Sequence, residues 1–353
     1  MEFNTYLISK QTILSNLNAI KNLVNPKTKI CAVVKADAYS LGARNVCEIL
    51  KGRVDFFAVN SFKEAIKIRS FDKQTNILIL GKTDKSDYEI CAKNNISISV
   101  FCIDDLASVN LSEKLNVHIK VNSGMNRFGT NSLDEFKLMV KAIKNSNSFN
   151  LEGVFTHYHF AEQTSLTKEQ FKRFMTFVKA THKKVLFHAS ATSGVINNPK
   201  LSLNMVRVGF GLYGQTKLTK TALTIRAKLV NVINLKAGES LGYECGFIAK
   251  KDYKIGVVSL GYADGFSRRL SNHFSVLCNG KFCRVLGYVC MDCFFIDLTN
   301  FPAKIYDDVT ILGSDKENEI TLNDYADALK TSPYEILTMF RRKRMRVVFK
   351  WFI

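Results

Sequence analysis

Ile30-Cys31-Ala32-Val33-Val34-Lys35-Ala36-Asp37-Ala38-Tyr39 decides how the chain folds. Five apolar residues run without polar alternation, the pattern of a strand buried on both faces, which is the rule in parallel sheets covered by helices. Seven further short runs follow at Asp55–Val59, Asn76–Leu80, Ser97–Phe101, Val117–Val121, Glu152–Thr156, Val185–His188 and Met205–Val208. Between them lie stretches with apolar residues three and four apart, such as Phe136, Met139, Val140 and Ile143, or Phe171, Phe174, Met175 and Val178. These predict amphipathic helices, whose starts are marked by the pairs Ser61 with Glu64, Ser132 with Glu135 and Thr167 with Gln170, each read as a capping box. Eight strand-plus-helix units predict an α/β fold, a (β/α)8 barrel of the TIM type, over residues 10–220.

Beyond residue 220 the pattern changes. Runs at Lys254–Leu260, Ser275–Cys278, Lys281–Gly287, Phe294–Leu298 and Asp308–Leu312 are separated by turn residues at short intervals, Asn279-Gly280 among them. No room is left for long helical crossovers, so a mainly antiparallel β-domain is expected, made of residues 1–9 and 221–353.

The 353 residues carry 50 Lys and Arg against 31 Asp and Glu, a formal charge of +19. Such a charge raises nucleic acid as a partner, but the basic residues are scattered, and the one dense run, Arg341-Arg342-Lys343-Arg344, sits between apolar neighbours. No nucleic-acid partner is expected. No window is apolar for long enough to span a membrane, and the first residues lack a basic segment leading into an apolar one. Nine cysteines without an export signal read as reduced thiols in the cytoplasm. Cys290 and Cys293 form a CxxC with Cys278 and Cys283 upstream, but the hairpin around the latter pair is ordinary, and no metal is expected.

In a (β/α)8 barrel the loops at the carboxyl ends of the strands build the active site, and phosphate is often held after the seventh and eighth strands. Lys35 closes the first strand, so its ammonium enters the barrel mouth, where desolvation or neighbouring cations favour the neutral, nucleophilic amine. The seventh strand is followed by Ala191-Thr192-Ser193-Gly194, and the eighth contains Arg207 and leads into Gly209-Phe210-Gly211. Hydroxyls and close-approaching glycine amides are what a phosphate monoester needs.

With these segments in view, the chain resembles the alanine racemases. Val33-Val34-Lys35-Ala36-Asp37-Ala38-Tyr39 is similar to that family's cofactor-lysine motif, and His118-Ile119-Lys120-Val121-Asn122-Ser123-Gly124-Met125-Asn126-Arg127-Phe128-Gly129 to its second signature. Asn204-Met205-Val206-Arg207-Val208-Gly209, Gly261-Tyr262-Ala263-Asp264-Gly265 and Gly287-Tyr288-Val289-Cys290-Met291-Asp292 resemble three more, in order.

The resemblance implies pyridoxal 5'-phosphate as cofactor, held by Lys35 as a Schiff base, with Lys35 also the base on one face of the substrate Cα. The base on the other face is implied to be Tyr243 of the partner subunit, so that a homodimer carries composite active sites and interconverts L- and D-alanine, supplying D-alanine for peptidoglycan. The histidine that assists this phenol maps to His188, and His157 is placed beside the pyridine ring. Arg207 is implied to face the ring nitrogen and, as a permanent cation, to disfavour its protonation. Phosphate is implied to be bound by Tyr39, Thr192, Ser193, the amides of Gly209 and Phe210, and Tyr334. Arg127 is implied to hydrogen-bond the cofactor's phenolic oxygen and to help place the substrate carboxylate, to which the partner subunit's Met291 donates an amide, with Tyr262 and Asp292 lining the entrance. Lys120 matches a position that is often carbamylated.

The chain departs from the family pattern at Asp37, at Ser40-Leu41, at Asn122 and at Tyr288, none of which removes a catalytic group. Competing readings are a racemase of serine, lysine or broader specificity, a decarboxylase on the same barrel, and a lone-barrel carrier of pyridoxal phosphate without activity. The last two have no use for a second base in the β-domain.

Overall fold

The structure, a computed structural model, describes residues 3–181 and 184–350, so residues 1, 2 and 351–353 of the expected β-domain lie outside the described residues. The chain divides into two compact units, Asn16–Leu212 and Met1–Ser15 with Tyr213–Ile353.

After β1 (Thr5–Ser9) the chain enters the first unit through the helix Lys10–Lys21. That unit is a closed parallel barrel of β2 (Lys29–Val33), β3 (Phe56–Val59), β4 (Asn76–Ile79), β5 (Ile96–Val100), β6 (Leu115–Lys120), β7 (Phe149–Phe155), β8 (Leu186–His188) and β9 (Met205–Val208), with β9 paired to β2. All eight expected strands are present, in order. Strands β3 and β5 are buried at every residue, as unbroken apolar runs require when one face meets the barrel interior and the other a helix. Between β5 and β6 the helix shrinks to a 3-10 turn, Ile103–Leu106. Residues 101–114 are long enough to cross back without a full helix.

The three expected capping boxes fare differently. Ser61 and Glu64 cap each other's backbone as expected. Ser132 accepts from the Glu135 amide, but the Glu135 carboxylate turns to the amide of Ile103, 3.3 Å away. Thr167 is no cap at all, because that helix starts at Thr164, one turn earlier. Thr167 instead donates to the Gln163 and Phe160 carbonyls, and Gln170 accepts from the backbone and ring of His159.

One part of the barrel core is apolar, with Cys31, Val33, Phe56, Ala58, Leu78 and Met205 in a single cluster. The part beside β6 to β9 is polar and aromatic. Phe155 stacks on His188 at 4.7 Å and 3°, and its ring faces Lys120 Nζ at 4.5 Å and Arg207 Cζ at 5.3 Å. His118 meets His188 edge-on across the strands. This crossing is possible because residue 153 is glycine: a Cβ there would overlap the His118 imidazole.

The second unit is a nine-stranded sheet built around the long β10 (Leu223–Leu235). Beyond a small two-stranded sheet of β11 (Ser240–Leu241) and β12 (Phe247–Ile248), it contains β13 (Tyr253–Val258), β14 (Ser275–Cys278), β15 (Lys281–Leu286), β16 (Phe294–Asp297), β17 (Asp308–Asp315), β18 (Asn318–Ile320) and β19 (Arg346–Lys350). The mainly antiparallel expectation holds. Asn279 and Gly280 take φ of 52° and 78°, the pair of positive angles that a tight hairpin turn demands. Two features were not among the expected runs. Strand β10 is broken up in sequence by Arg226, Lys228, Asn231 and Asn234, yet it pairs with β1, β13 and β17. Strands β1 and β19, from opposite ends of the chain, lie side by side in parallel.

Gly153→Ala is expected to destabilise the protein by about 1–3 kcal/mol, the usual penalty for overpacking a filled core. Chemical denaturation measures it, and an unchanged midpoint would mean that His118 does not occupy this space.

Candidate active site

Lys35 follows the last residues of β2, half-buried at the carboxyl end of the barrel. The backbone after it is unusual. Ala36, Asp37, Ala38, Tyr39 and Ser40 all have positive φ, between 51° and 69°, forming a left-handed helical turn. L-residues disfavour this conformation by roughly 1–2 kcal/mol each. The surroundings hold it in place: Glu64 accepts from the Ala36 amide at 2.7 Å, Asp37 Oδ1 from the Ala43 amide at 2.8 Å, and Asp37 O from the Gly42 amide at 2.8 Å. Leu41 is fully buried beneath the turn. Two of the departures from the family pattern, Asp37 and Leu41, thus have structural work here.

The turn sends Tyr39 toward the loop after β9. A Cβ at residue 209 would overlap the Tyr39 hydroxyl, so Gly209 permits a close approach that no other residue allows. Beside it, Thr192 Oγ1 accepts from the amides of Gly211 at 3.1 Å and Gly209 at 3.4 Å. Ser193 is half-buried one residue on, Phe210 opens a short helix, and the Ser190 hydroxyl is buried with no hydrogen-bond partner among the described residues. Two hydroxyl residues, glycine amides and an orphaned hydroxyl make a cradle that fits a phosphate monoester.

Arg207 is the electrostatic centre. It is buried, and its guanidinium meets no carboxylate among the described residues. Nη1 lies 2.7 Å from His188 Nδ1, and Nη2 lies 2.8 Å from Thr156 O, 3.0 Å from Ala189 O and 3.2 Å from His157 Nδ1. Burial lowers its pKa to about 10, which leaves it charged at neutral pH. This charge acts on its neighbours. Lys120, buried over Phe155, is held well below the ordinary lysine range by desolvation and then by Arg207 and Arg127. His157 is held well below the ordinary histidine range by desolvation, then by Arg207, Lys120, Arg127 and Lys35. Lys35 is lowered by desolvation and Arg127, against an opposing pull from Glu64. Arg127 itself is exposed, in a loop turned by Asn122, whose Oδ1 accepts from the amides of Gly124 at 3.1 Å and Asn126 at 2.9 Å.

His188 does not match its expected role. Its ring is fully buried, Nδ1 faces Arg207, and Nε2 faces His118 at 2.8 Å, so neither nitrogen is left to assist a phenol. His157 is half-buried and offers the alternative, with Nδ1 on Arg207 and no partner for Nε2 among the described residues. Sequence position alone could not separate the two, since each lies at or just past a strand end.

In the second unit, Tyr243, Tyr262, Met291 and Tyr334 are large side chains left well exposed. Tyr243 begins a 3-10 turn whose Glu244 and Cys245 have positive φ. Tyr288, another departure from the family pattern, packs against Gly246 in this turn and under Arg268 at 4.6 Å. The Tyr262 and Met291 segments are stitched together by Tyr262 N to Cys290 O and Ala263 N to Met291 O, both 3.0 Å. Arg344 bridges Asp264 and Asp292, which gives the basic run at 341–344 a structural partner. Among the described residues no three His, Cys, Asp or Glu side chains converge as a metal site.

Two family models match the chain, "Alanine racemase, N-terminal domain" over residues 8–217 and "Alanine racemase, C-terminal domain" over residues 222–348. "Alanine racemase 1" of Caldanaerobacter subterraneus subsp. tengcongensis is 32% identical across 96% of this chain and 92% of its own length. The crystal structure of alanine racemase from E. faecalis superposes with a TM-score of 0.94 at 30% identity, covering 99% of this chain and 98% of that one. The alanine racemase from Bacillus anthracis with bound L-Ala-P gives 0.91 at 26% identity, covering 99% and 95%.

Arg127→Ala removes a cation that lowers the Lys35 pKa, so it should raise that pKa and leave less neutral amine near pH 8. Labelling of Lys35 by an amine-reactive reagent in cofactor-free protein, followed by peptide mass mapping, is expected to slow by about two- to fivefold, since Arg127 is exposed and partly screened. Faster labelling would reverse the sign and refute the electrostatic account.

Proposed function

The chain belongs to the alanine racemase family, and from that premise we propose that it interconverts L- and D-alanine with Lys35 and Tyr243 as opposed proton-transfer groups and pyridoxal phosphate as cofactor. The observation that carries this reading is the half-buried amine of Lys35, shifted toward its neutral form, in a barrel mouth that also holds a carboxylate-free guanidinium and a hydroxyl-lined cradle.

When bound, pyridoxal phosphate supplies an aldehyde that condenses with amines and a conjugated ring that accepts the electron pair left at Cα. The protein's own residues do the rest. Lys35 Nζ holds or returns the proton on one face of Cα. The Tyr243 phenol does so on the other face, lent by the partner subunit of a homodimer, which suits its exposure within its own unit. A phenol needs help to act as a base near neutral pH. His157 takes the role expected of His188, because its Nε2 is the ring nitrogen left over.

Arg207, a cation with donors and no acceptor, would meet the ring nitrogen by donating a hydrogen bond and would disfavour that nitrogen's protonation. The phosphate is bound by Tyr39, Thr192, Ser193, the Gly209 and Phe210 amides and Tyr334. The substrate carboxylate is met by Arg127 and by the amide of the partner subunit's Met291, with Tyr262 and Asp292 at the entrance. Lys120, shifted toward its neutral form by burial and then by Arg207 and Arg127, is set up to attack carbon dioxide. The new N–C bond forms as one amine proton leaves to water, and the resulting carbamate gives Arg127 an anionic partner. Every cysteine of the chain is a free thiol, which suits a cytoplasmic enzyme whose D-alanine would feed peptidoglycan.

Purified protein incubated with L-alanine in D2O is expected to yield D-alanine with deuterium at Cα, and Lys35→Ala to abolish both this and the visible absorbance of bound cofactor. Tyr243→Phe should lose racemisation by 10²–10⁴-fold, a typical loss for a general acid–base group. A variant as active as the wild type would remove Tyr243 from the second face of Cα, and a wild type that binds the cofactor without exchanging the Cα proton would favour the carrier reading. Arg207→Glu should raise transamination relative to racemisation, and an unchanged ratio would remove Arg207 from the ring nitrogen.

A further inference from the structure

His188 is unused by the reaction as described, yet it sits at the middle of a buried chain of polar contacts. Arg207 Nη1 is 2.7 Å from His188 Nδ1, His188 Nε2 is 2.8 Å from His118 Nδ1, and His118 Nε2 is 2.9 Å from Glu152 Oε2. Ser97 Oγ donates to the same carboxylate oxygen at 2.5 Å. Both imidazoles are fully buried.

The strand pairing is adapted to make this chain. Between β6 and β7 the register slips: Val117 faces Leu151 and His118 faces Gly153, so Glu152 is the extra residue of a bulge. Bulges re-aim side chains, and this one brings the Glu152 carboxylate to His118. Gly153, the next residue, clears the space in which the His118 ring lies.

Donor and acceptor logic places every proton. A guanidinium only donates, so His188 Nδ1 must accept. His188 then carries its proton on Nε2 and donates it to His118 Nδ1, which must also accept. His118 in turn carries its proton on Nε2 and donates to Glu152, which accepts as a carboxylate. Starting from the other end gives the same answer. A doubly protonated His118 would donate to His188 Nε2, push the His188 proton onto Nδ1 and set it against the Arg207 donor. Burial pulls the Glu152 carboxyl upward, but the hydrogen bonds from His118 and Ser97 outweigh it and hold the group below the usual range. The ionised form this logic requires is therefore the stable one.

We propose that Glu152 is a positioning residue for Arg207: through His118 and His188 it locks both imidazoles as Nε2–H tautomers, so that a lone pair always faces the guanidinium and fixes its plane. The negative charge that the site lacks nearby is supplied through two neutral rings, which hold Arg207 without donating a carboxylate to the cofactor's surroundings. The functional consequence rests on the racemase reading, whereas the proton arrangement does not.

The test is nitrogen NMR on the full chain labelled with 15N at its six histidines, without cofactor, using His118→Gln and His188→Gln to assign signals. The wild type is expected to show His118 and His188 as neutral Nε2–H tautomers. An Nδ1–H or doubly protonated His188 overturns the proposal, and this measurement needs no Glu152 variant to fold. Glu152→Gln should broaden or shift the His188 nitrogens and lower kcat roughly tenfold, a loss typical of an outer-shell partner, with KM for alanine little changed and partial recovery in Glu152→Asp. A Glu152→Gln protein with lower thermal stability but unchanged His188 nitrogens and kcat would overturn it as well. Correct tautomers without exchange of the alanine Cα proton in D2O would leave the chain of contacts standing and refute the racemase reading instead.

Discussion

A guanidinium buried with no carboxylate beside it among the described residues is the constraint around which the barrel interior is arranged. Removing an ionised group from water is costly unless its donors are satisfied, and the usual remedy of a paired carboxylate is absent at Arg207. Two carbonyls, two imidazoles and the face of Phe155 take its place. Each neighbour is then constrained in turn: Phe155 must stack on His188, and residue 153 must be glycine to admit His118. With Arg127 nearby, the mouth carries a positive potential that, together with burial, favours neutral Lys35 and neutral His157 and attracts an anionic ligand.

The second constraint is the left-handed turn after Lys35. Five consecutive non-glycine residues in this conformation are unfavourable locally and persist only where tertiary contacts over-determine them. Glu64, which also caps its own helix, supplies one such contact, and the buried side chains of Ala38 and Leu41 supply others. In return, a single short segment delivers an amine and a phenol to the same site, with Tyr39 against Gly209. Strain at this point has a use, since an ordinary right-handed turn would carry Tyr39 elsewhere.

Much of this was legible from residue patterns. All eight barrel strands, the antiparallel character of the second unit and the Asn279-Gly280 turn follow from apolar runs and turn chemistry, which act over a few residues. The errors share a different origin. Thr167 and Gln170 have the spacing of a capping box, but the helix begins one turn earlier, because spacing cannot say which hydroxyl meets the first free amides. Strand β10 hides behind its charged residues, since pairing with three other strands stabilises what its own composition does not advertise. The parallel pairing of β1 with β19 joins segments too distant for any local pattern to connect.

The site divides along the same line. That Lys35 ends a buried strand, that hydroxyls and glycines follow β8 and β9, and that Arg207 lies between them were set by residue order, because strand ends in a closed parallel barrel all open on one mouth. Which histidine faces outward, which carboxylate is absent from Arg207 and which one reaches it through two imidazoles were decided only by the folded chain. Hydrogen-bond partnership depends on ring orientation, on a one-residue bulge and on the missing Cβ of Gly153, and these become defined only when distant strands pack together.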